Sequence, residues 1–349
     1  MRVAGVASAF PGPRYEQAVI VDALKQQWGD RLDRPERFNR IQRRVCVDGR
    51  HLALPIESYS GSWGWGEANA TWLRVAEELG EQALGRALDR AGLEPAALNA
   101  LFVVSITGIA SPSLDARLIN RMGLSRSLKR LPIFGLGCVG GAAGLARAAD
   151  YVRAYTTETA ALLAVELCSL TFQRDDLSTV NQISASLFGD GAAAVVVTGG
   201  EVPARGPRIV STRSVFYPDT EDVMGWDISE RGFRIVLTRG VPEIVKRHLA
   251  DDVDAFLADE GLGRGDIGSW IIHPGGPRVL EAVQAALDPP PGALDPSWRS
   301  LRSVGNTSSV SVLLVLEDVM MHQRPAPGTW SLLAALGPGF CSELVLLHW

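Results

Sequence analysis

Residues 131–152 have the sequence LPIFGLGCVGGAAGLARAADYV, a short apolar run followed by a glycine-containing turn and a segment of small residues. The pattern predicts a strand over 131–134 and a helix over 140–154. Because glycine allows the backbone to turn sharply, Cys138 is expected at the N-terminus of that helix. Unpaired N–H groups and the helix dipole would favour the thiolate there, which is the nucleophilic form of cysteine. A buried structural cysteine is the alternative interpretation.

The same alternation of apolar runs and amphipathic segments extends along the whole chain. Strands are predicted at 3–9, 101–105, 161–167, 192–198, 270–273, 330–336 and 343–349. Helices are predicted at 70–91, 114–122, 242–262 and 308–321, with a further helix starting at residue 277. Strand and helix alternating in this way predict a layered α/β architecture.

A weak internal repeat relates the two parts of the chain at an offset of 168 residues. Three landmarks match, namely 103–105 with 271–273, 137–138 with 305–306, and 162–167 with 330–335. The segment GGEVPARGP at 199–207 is rich in glycine and proline, which is typical of a linker. We therefore predict two similar α/β halves, residues 1–199 and 206–349, whose equivalent helix starts meet at one centre.

Composition excludes several classes of protein. The chain has 349 residues with 34 Lys and Arg against 39 Asp and Glu, and this net charge of −5 gives no reason to expect nucleic acid as a partner. Four cysteines are too few for a disulfide framework, and they lack the spacing of metal ligands. No apolar stretch approaches the ~18 residues of a membrane span, and the first residues lack the features of a signal peptide. A cytoplasmic protein is expected.

Two further polar residues follow predicted structural boundaries. His273 ends an apolar strand in SWIIHPGGP (269–277), and active sites of α/β proteins form at the carboxyl ends of strands. Asn306 precedes a helix in SVGNTSSV (303–310), where it would act as an N-cap or as an amide donor to a developing negative charge. A hydrogen-bonded core histidine is the alternative for His273. No carboxylate accompanies these residues in a motif-like context, which disfavours a hydrolase triad.

Five segments in order along the chain resemble the type III polyketide synthases, relatives of chalcone synthase with the thiolase fold. They are GLGCVGGAAGLARAADY, LFGDGAAAVVV, WIIHPGGPRVLEAV, VGNTSSVSVL and ALGPGFCSELVLLHW. The resemblance implies two similar halves in an α-β-α-β-α layering. It also implies an enzyme that extends a coenzyme A starter with malonyl-CoA, without a metal, a redox cofactor or an acyl carrier protein. It places the catalytic cysteine, histidine and asparagine of the family on Cys138, His273 and Asn306, and an aromatic gatekeeper on Phe188.

A homodimer is expected as well. The resemblance implies it, and the Ala- and Gly-rich segment around 140–154 suggests an apolar surface available for association. Three tryptophans, Trp63, Trp65 and Trp72, are assigned to core or dimer packing without a catalytic role.

A local cluster of arginines would hold the phosphates of coenzyme A. The segment RFNRIQRRVCVDGRH (37–51) is basic within an acidic protein. Helical spacing would put Arg37, Arg40 and Arg44 on one face, and the resemblance places the basic CoA-binding residues of the family on these three. Arg43 and Arg50 belong to the same cluster. A solvated helix face is the alternative interpretation.

Four residues fall on cavity-lining positions of the family, namely Ile106, Cys168, Trp226 and Ile235. An aliphatic Ile235 replaces an aromatic residue of the plant enzymes and suggests a roomier cavity, whereas Trp226 replaces a small residue and would narrow it. The pattern favours a fatty acyl-CoA starter and an alkylpyrone or alkylresorcinol product, since an apolar chain needs an apolar tunnel. A tetrahydroxynaphthalene-type synthase that uses malonyl-CoA alone is the alternative.

Two more distant interpretations remain open. An initiating β-ketoacyl carrier-protein synthase shares the Cys, His and Asn set and the sequence GNTS at 305–308, but it performs a single condensation. A noncatalytic partner with the thiolase fold is the other, and the presence of Cys138, His273 and Asn306 argues against it.

Overall fold

The computed structural model of the protein describes residues 1–32, 34–61 and 64–349, so the packing predicted for Trp63 lies outside the described residues. The strands are β1 (Arg2–Ala9), β2 (Arg14–Glu16), β3 (Gly49–His51), β4 (Ala100–Val104), β5 (Lys129–Ile133), β6 (Thr159–Leu167), β7 (Asp190–Thr198), β8 (Arg208–Phe216), β9 (Met224–Ser229), β10 (Gly232–Leu237), β11 (Ile267–Ile272), β12 (Trp330–Gly337) and β13 (Cys341–His348). The α-helices are α1 (Gln17–Trp28), α2 (Pro35–Gln42), α3 (Trp65–Ala91), α4 (Leu114–Met122), α5 (Gly140–Ala154), α6 (Thr179–Leu187), α7 (Val241–Ala258), α8 (Pro277–Leu287), α9 (Asp295–Val304) and α10 (Ser311–His322).

Within the described residues, nine strands form a continuous sheet in the order β11-β12-β13-β8-β1-β7-β6-β4-β5. Strands β1 and β4 to β7 precede the predicted linker, and the other four strands follow it. The two parts join where β1 and β8 run antiparallel, with Arg2 opposite Arg208. Each part therefore consists of strands from one side of the linker, and the halves 1–199 and 206–349 remain a prediction.

The helices and the two parts of the sheet alternate in layers. Helices α5 and α10 lie in the middle and form one buried cluster with residues from both parts of the sheet. Helices α3 and α4 cover the outer face of the first part, and α7 and α8 cover the outer face of the second. The predicted thiolase-like α-β-α-β-α layering is confirmed.

Small residues in α5 allow this close packing. A Cβ atom on Gly141 would lie 2.1 Å from the Ser309 carbonyl oxygen, and one on Gly144 would lie 2.4 Å from a methyl carbon of Leu162. The Ala- and Gly-rich face of α5 is therefore buried inside the chain. Using that face as an argument for a dimer surface was wrong, because the two halves of the same chain already cover it.

Two details differ from the predicted helices. The helix expected over 242–262 ends at Ala258, since the following turn contains Gly261 with a positive φ of 71°. The helix expected from residue 308 begins as a short 3-10 turn at Ser308–Val310 before α10, and Ser308 itself has a positive φ of 51°. No helix within the described ranges is long and apolar enough to cross a membrane.

Candidate active site

Cys138 lies in the strand–turn–helix unit predicted for it. Strand β5 ends at Ile133, and the chain turns through Gly135 and Gly137, which have φ angles of 98° and 52°. A Cβ atom on Gly137 would lie 2.8 Å from Cδ of Pro338, so glycine is required there by both conformation and space. Cys138 follows in a 3-10 turn that leads directly into α5. Its predicted position at the start of the helix is confirmed.

Burial dominates the electrostatics of Cys138. The residue is 6% exposed, and its thiol donates a hydrogen bond to Ser308 Oγ at 3.7 Å. Loss of hydration raises the pKa of the thiol to about 11, although the hydrogen bond with Ser308 acts in the opposite direction. The helix N-terminus favours the thiolate, but burial of the Cys138 side chain disfavours it. Attack on a substrate requires a nearby base that takes the thiol proton.

His273 is the candidate base, and its side chain lies in a dry environment. It directly follows β11, and its backbone N–H donates to the Ala334 carbonyl at 2.9 Å. The side chain is 2% exposed, and within the described residues neither ring nitrogen has a hydrogen-bond partner. Burial lowers the pKa of His273 to about 3, so the ring is neutral. A neutral imidazole without partners has one nitrogen free to accept a proton and one free to donate.

Asn306 is oriented by the loop that carries His273. Its Nδ2 donates to the Gly275 carbonyl at 3.1 Å, and its Oδ1 accepts from the backbone N–H of Ser308 at 2.8 Å. Ser308 is also the hydrogen-bond acceptor of the Cys138 thiol. Asn306 thus joins the cysteine side of the site to the histidine side.

Phe188 and Asn306 are neighbours through their backbones. They form an isolated parallel bridge between the end of α6 and the segment before α10. Phe188 also lines a cavity together with Cys138. Phe188 therefore shares a cavity wall with Cys138, and its role as a gatekeeper remains a prediction.

The cavity beside Cys138 has a volume of about 40 Å³. Its wall contains all four residues predicted to line it, Ile106, Cys168, Trp226 and Ile235. Trp226 and Ile235 come from the separate two-stranded sheet of β9 and β10, which forms one side of the cavity. Trp226 Nε1–H donates to the Ile106 carbonyl at 2.9 Å and holds this hairpin against the loop after β4. Both residues therefore line the cavity, and their opposite effects on its width remain predictions.

The arginine cluster is only partly as predicted. Arg37 and Arg40 lie on α2, which ends at Gln42, so Arg44 is in the turn that follows and not on the same helical face. Arg40 and Arg44 are exposed, and Arg37 is half-buried. Arg50 does not belong to this surface, because it is 2% exposed and donates to backbone carbonyls inside the protein.

A buried carboxyl group near Cys138 was missed by the sequence analysis. Glu166, near the end of β6, accepts hydrogen bonds from Ser309 Oγ at 2.5 Å, Thr107 Oγ1 at 2.9 Å and the Ile106 N–H at 3.1 Å. Burial raises the pKa of Glu166 to about 7, and its charge raises the pKa of Cys138. Glu166 is not a triad carboxylate, because within the described residues the His273 ring has no hydrogen-bond partner. The available signal was an acid inside the otherwise apolar strand TAALLAVEL.

Two sequence families match this chain, one in each part. The family of the N-terminal domain of chalcone and stilbene synthases matches residues 66–201, and the family of the C-terminal domain matches residues 208–349. The chain belongs to the chalcone and stilbene synthase family. As a type III polyketide synthase it is an acyltransferase.

Individual relatives of this type III polyketide synthase support the same assignment. It is 53% identical to a 1,3,6,8-tetrahydroxynaphthalene synthase of Streptomyces peucetius, over 99% of this chain and 93% of the relative. It is 32% identical to a phloroglucinol synthase of Pseudomonas fluorescens, over 97% of each chain. The crystal structure of 1,3,6,8-tetrahydroxynaphthalene synthase from Streptomyces coelicolor superposes with a TM-score of 0.95 at 31% identity, covering 100% of this chain and 99% of that one.

Proposed function

We propose that this type III polyketide synthase builds a 1,3,6,8-tetrahydroxynaphthalene-type product from malonyl-CoA alone. The supporting observation is the 53% identity to a tetrahydroxynaphthalene synthase along almost the whole chain. This is the alternative that the sequence analysis kept open. The fatty acyl starter and the alkylpyrone or alkylresorcinol product that it favoured have weaker support.

The narrow cavity agrees with a small starter. Ligand pockets for drug-sized molecules measure roughly 300–1,000 Å³, whereas the space beside Cys138 is about 40 Å³. The acyl group that malonyl-CoA leaves on Cys138 is much shorter than a fatty acyl chain and makes the smaller demand on this space. A fatty chain would require Trp226 to leave the position in which it is hydrogen-bonded to Ile106.

Loading begins with the neutral Cys138 and His273 pair. The Cys138 sulfur attacks the thioester carbonyl of malonyl-CoA while His273 accepts the thiol proton. The tetrahedral intermediate collapses, the acyl group stays on sulfur, and CoA leaves as a thiol after taking up a proton. Because burial raises the pKa of Cys138, proton transfer and attack are coupled in this site.

Extension uses His273 again, now as a donor, together with Asn306. A further malonyl-CoA loses CO2, and the electron pair of the broken bond becomes the enolate of an acetyl thioester. N–H groups of His273 and Asn306 stabilise its oxygen, and the carbon attacks the acyl-Cys138 thioester. The new carbon–carbon bond releases the Cys138 sulfur for reloading. The Phe188 ring excludes water from the carbanion.

Substrate binding and assembly complete the proposal. Arg37, Arg40 and Arg44 pair with the phosphates of CoA at the surface. The protein works as a cytoplasmic homodimer, with the exposed Leu131 and Phe134 of the edge strand β5 and its following turn available to a second copy. Sedimentation at micromolar concentration tests the dimer, and a monomer would contradict it.

Incubation with malonyl-CoA alone, followed by chromatography and mass spectrometry, tests the product. We expect a tetrahydroxynaphthalene, no product from Cys138→Ala, and retained product from the matched cavity variant Cys168→Ala. Product formed only when butyryl- to octadecanoyl-CoA starters are added would contradict the proposal. Strict dependence on an acyl carrier protein would instead support the β-ketoacyl carrier-protein synthase interpretation.

A further inference from the structure

Arg50 is a buried charge that the proposed chemistry does not use. It lies on β3 and is 2% exposed. Arginine is seldom fully buried unless its donors and its charge are matched by partners, because desolvation of the guanidinium costs several kcal/mol. Burial lowers the pKa of Arg50 to about 10, and the nearby Asp190 carboxyl offsets part of that effect. The hydrogen-bond partners of the guanidinium therefore indicate which segments Arg50 stabilises.

The guanidinium binds the end of α6, which carries Phe188. Its Nη1 donates to the Phe188 carbonyl, its Nη2 donates to the Ala185 carbonyl at 2.8 Å, and its Nε donates to Gln17 Oε1 at 3.2 Å. The last carbonyls of a helix lack partners within the helix and carry the negative end of its dipole. Arg50 therefore caps α6 with two directed donors, which fix the backbone of Phe188, and its third donor ties the guanidinium to Gln17 on α1.

The same side chain contacts the segment that carries Asn306. Gly305 has a φ of 74°, and a Cβ atom there would lie 2.9 Å from Cδ of Arg50. Asn306, the next residue, pairs with Leu187 and Gly189 through its own backbone. One buried cation thus touches both of the segments that bear Phe188 and Asn306.

We infer that Arg50 is a positioning residue that holds the Phe188 ring and the Asn306 amide in the arrangement needed for decarboxylation of malonyl-CoA. The inference rests on the proposed function, in which these two residues act on the enolate. Arg50 is absent from the residues that line the cavity. It acts through its neighbours, so its loss slows the reaction step without weakening substrate binding.

Two variants and one control test this role. Arg50→Met keeps the length of the side chain and removes every donor, and Arg50→Lys keeps the charge but loses the planar fork. Arg14→Met is the matched control, since Arg14 lies on the neighbouring strand β2 and donates to the Ser303 carbonyl at 2.9 Å and to Glu16 Oε1 at 2.7 Å. Far-UV circular dichroism and thermal melting first establish that each variant is folded.

The decisive readout separates two steps. Loading of Cys138 by malonyl-CoA is followed by intact-protein mass spectrometry, and decarboxylation is followed by CO2 release from malonyl-CoA labelled in its free carboxyl group. A displacement of about 1 Å can cost about a hundredfold in rate. In Arg50→Met we expect CO2 release to fall roughly tenfold to a hundredfold while loading and the KM for malonyl-CoA stay within about twofold. Arg50→Lys should fall between this variant and the wild type, and Arg14→Met should match the wild type.

Other results overturn the inference. Equal loss of loading and decarboxylation, or wild-type decarboxylation in both variants, would show that Arg50 does not position the decarboxylating groups. If neither variant folds, Arg50 is a stability residue and the inference also fails. The wild-type enzyme separates the two proposals, because absence of CO2 release and product from wild type would contradict the proposed function itself.

Discussion

The backbones of Phe188 and Asn306 pair side by side. The Asn306 N–H donates to the Leu187 carbonyl, and the Gly189 N–H donates to the Asn306 carbonyl, both at 2.9 Å. These bonds join two segments that are more than a hundred residues apart in sequence. The segments that carry the Phe188 ring and the Asn306 amide are therefore held together by backbone hydrogen bonds. We expect a displacement of one segment to move the other.

Replacing Asn306 by alanine should separate decarboxylation from loading. The variant loses the Nδ2–H donor for the enolate but leaves Cys138 and His273 in place. Removal of one oxyanion donor typically costs about a hundredfold to a thousandfold in rate. We expect CO2 release and product to fall by about this factor, while Cys138 still becomes acylated, as measured by intact-protein mass spectrometry.

Asn120→Ala provides the control for Asn306→Ala. Asn120 is exposed on α4, and its amide donates to the Ala116 carbonyl one turn earlier. This variant should retain both steps. If Asn306→Ala lost loading and decarboxylation in equal measure, Asn306 would be required for the integrity of the site and not for the enolate.

Replacing Trp226 by alanine should widen the range of starters. The indole closes the small cavity and donates to the Ile106 carbonyl. Its removal should let medium and long acyl-CoA starters prime the enzyme, measured as new products across a series of chain lengths. Trp226→Phe keeps most of the bulk and loses the N–H donor, so it separates size from hydrogen bonding. Unchanged starter selectivity in Trp226→Ala would show that Trp226 does not limit the cavity.

Neutralising the surface arginines should weaken binding of malonyl-CoA without slowing catalysis. We expect Arg37→Ala, Arg40→Ala and Arg44→Ala each to raise the KM about threefold to tenfold with little change in kcat, because exposed charge-assisted contacts are partly screened by water and salt. Steady-state kinetics at low and high ionic strength check this. Arg126→Ala, in the exposed turn after α4, should leave the KM unchanged. A KM that is insensitive to all three substitutions would show that CoA binds at another surface of the protein.

Local sequence patterns predicted the fold well and placed the candidate catalytic residues at strand and helix boundaries. The helix expected over 140–154 corresponds to α5 at Gly140–Ala154. Its alanines favour a helix, and its start is marked by the glycine turn before it. Cys138, His273 and Asn306 each stand at a strand or helix boundary that is visible in the sequence. The four cavity residues came from resemblance alone, since nothing local shows that Ile106 and Trp226 would meet.

Long-range contacts explain what the sequence could not show. Arg50 and Arg44 lie in the same basic segment, yet one is buried and the other exposed. The difference arises because the Arg50 guanidinium donates a hydrogen bond to the Ala185 carbonyl, which is 135 residues away in the chain. Likewise, Glu166 has its hydrogen-bond donors on the loop after β4 and in the 3-10 turn before α10, and neither is near it in sequence.

Glu166 should make the stability of the protein depend on pH. Its pKa is about 7 in the folded protein against an ordinary value of 4.5. Between these values the folded state holds a proton on Glu166 that the unfolded state has lost. The free energy of unfolding gains a contribution of about 3 kcal/mol that is fully present below the lower pKa and is lost as pH rises through the upper one. Glu166→Gln cannot titrate and should lack this slope.

Urea unfolding of wild type and Glu166→Gln at pH values below and above this window measures the contribution of Glu166. The wild-type protein should lose more stability than the variant on going from the acidic to the alkaline side, and the difference between the two slopes is the quantity of interest. Other titrating groups cancel in that difference, because both proteins contain them. Glu260→Gln, at an exposed turn after α7, should follow the wild type. Identical slopes in wild type and Glu166→Gln would show that Glu166 ionises in the folded protein as readily as in the unfolded chain, held as a carboxylate by its donors from Ser309 and Thr107.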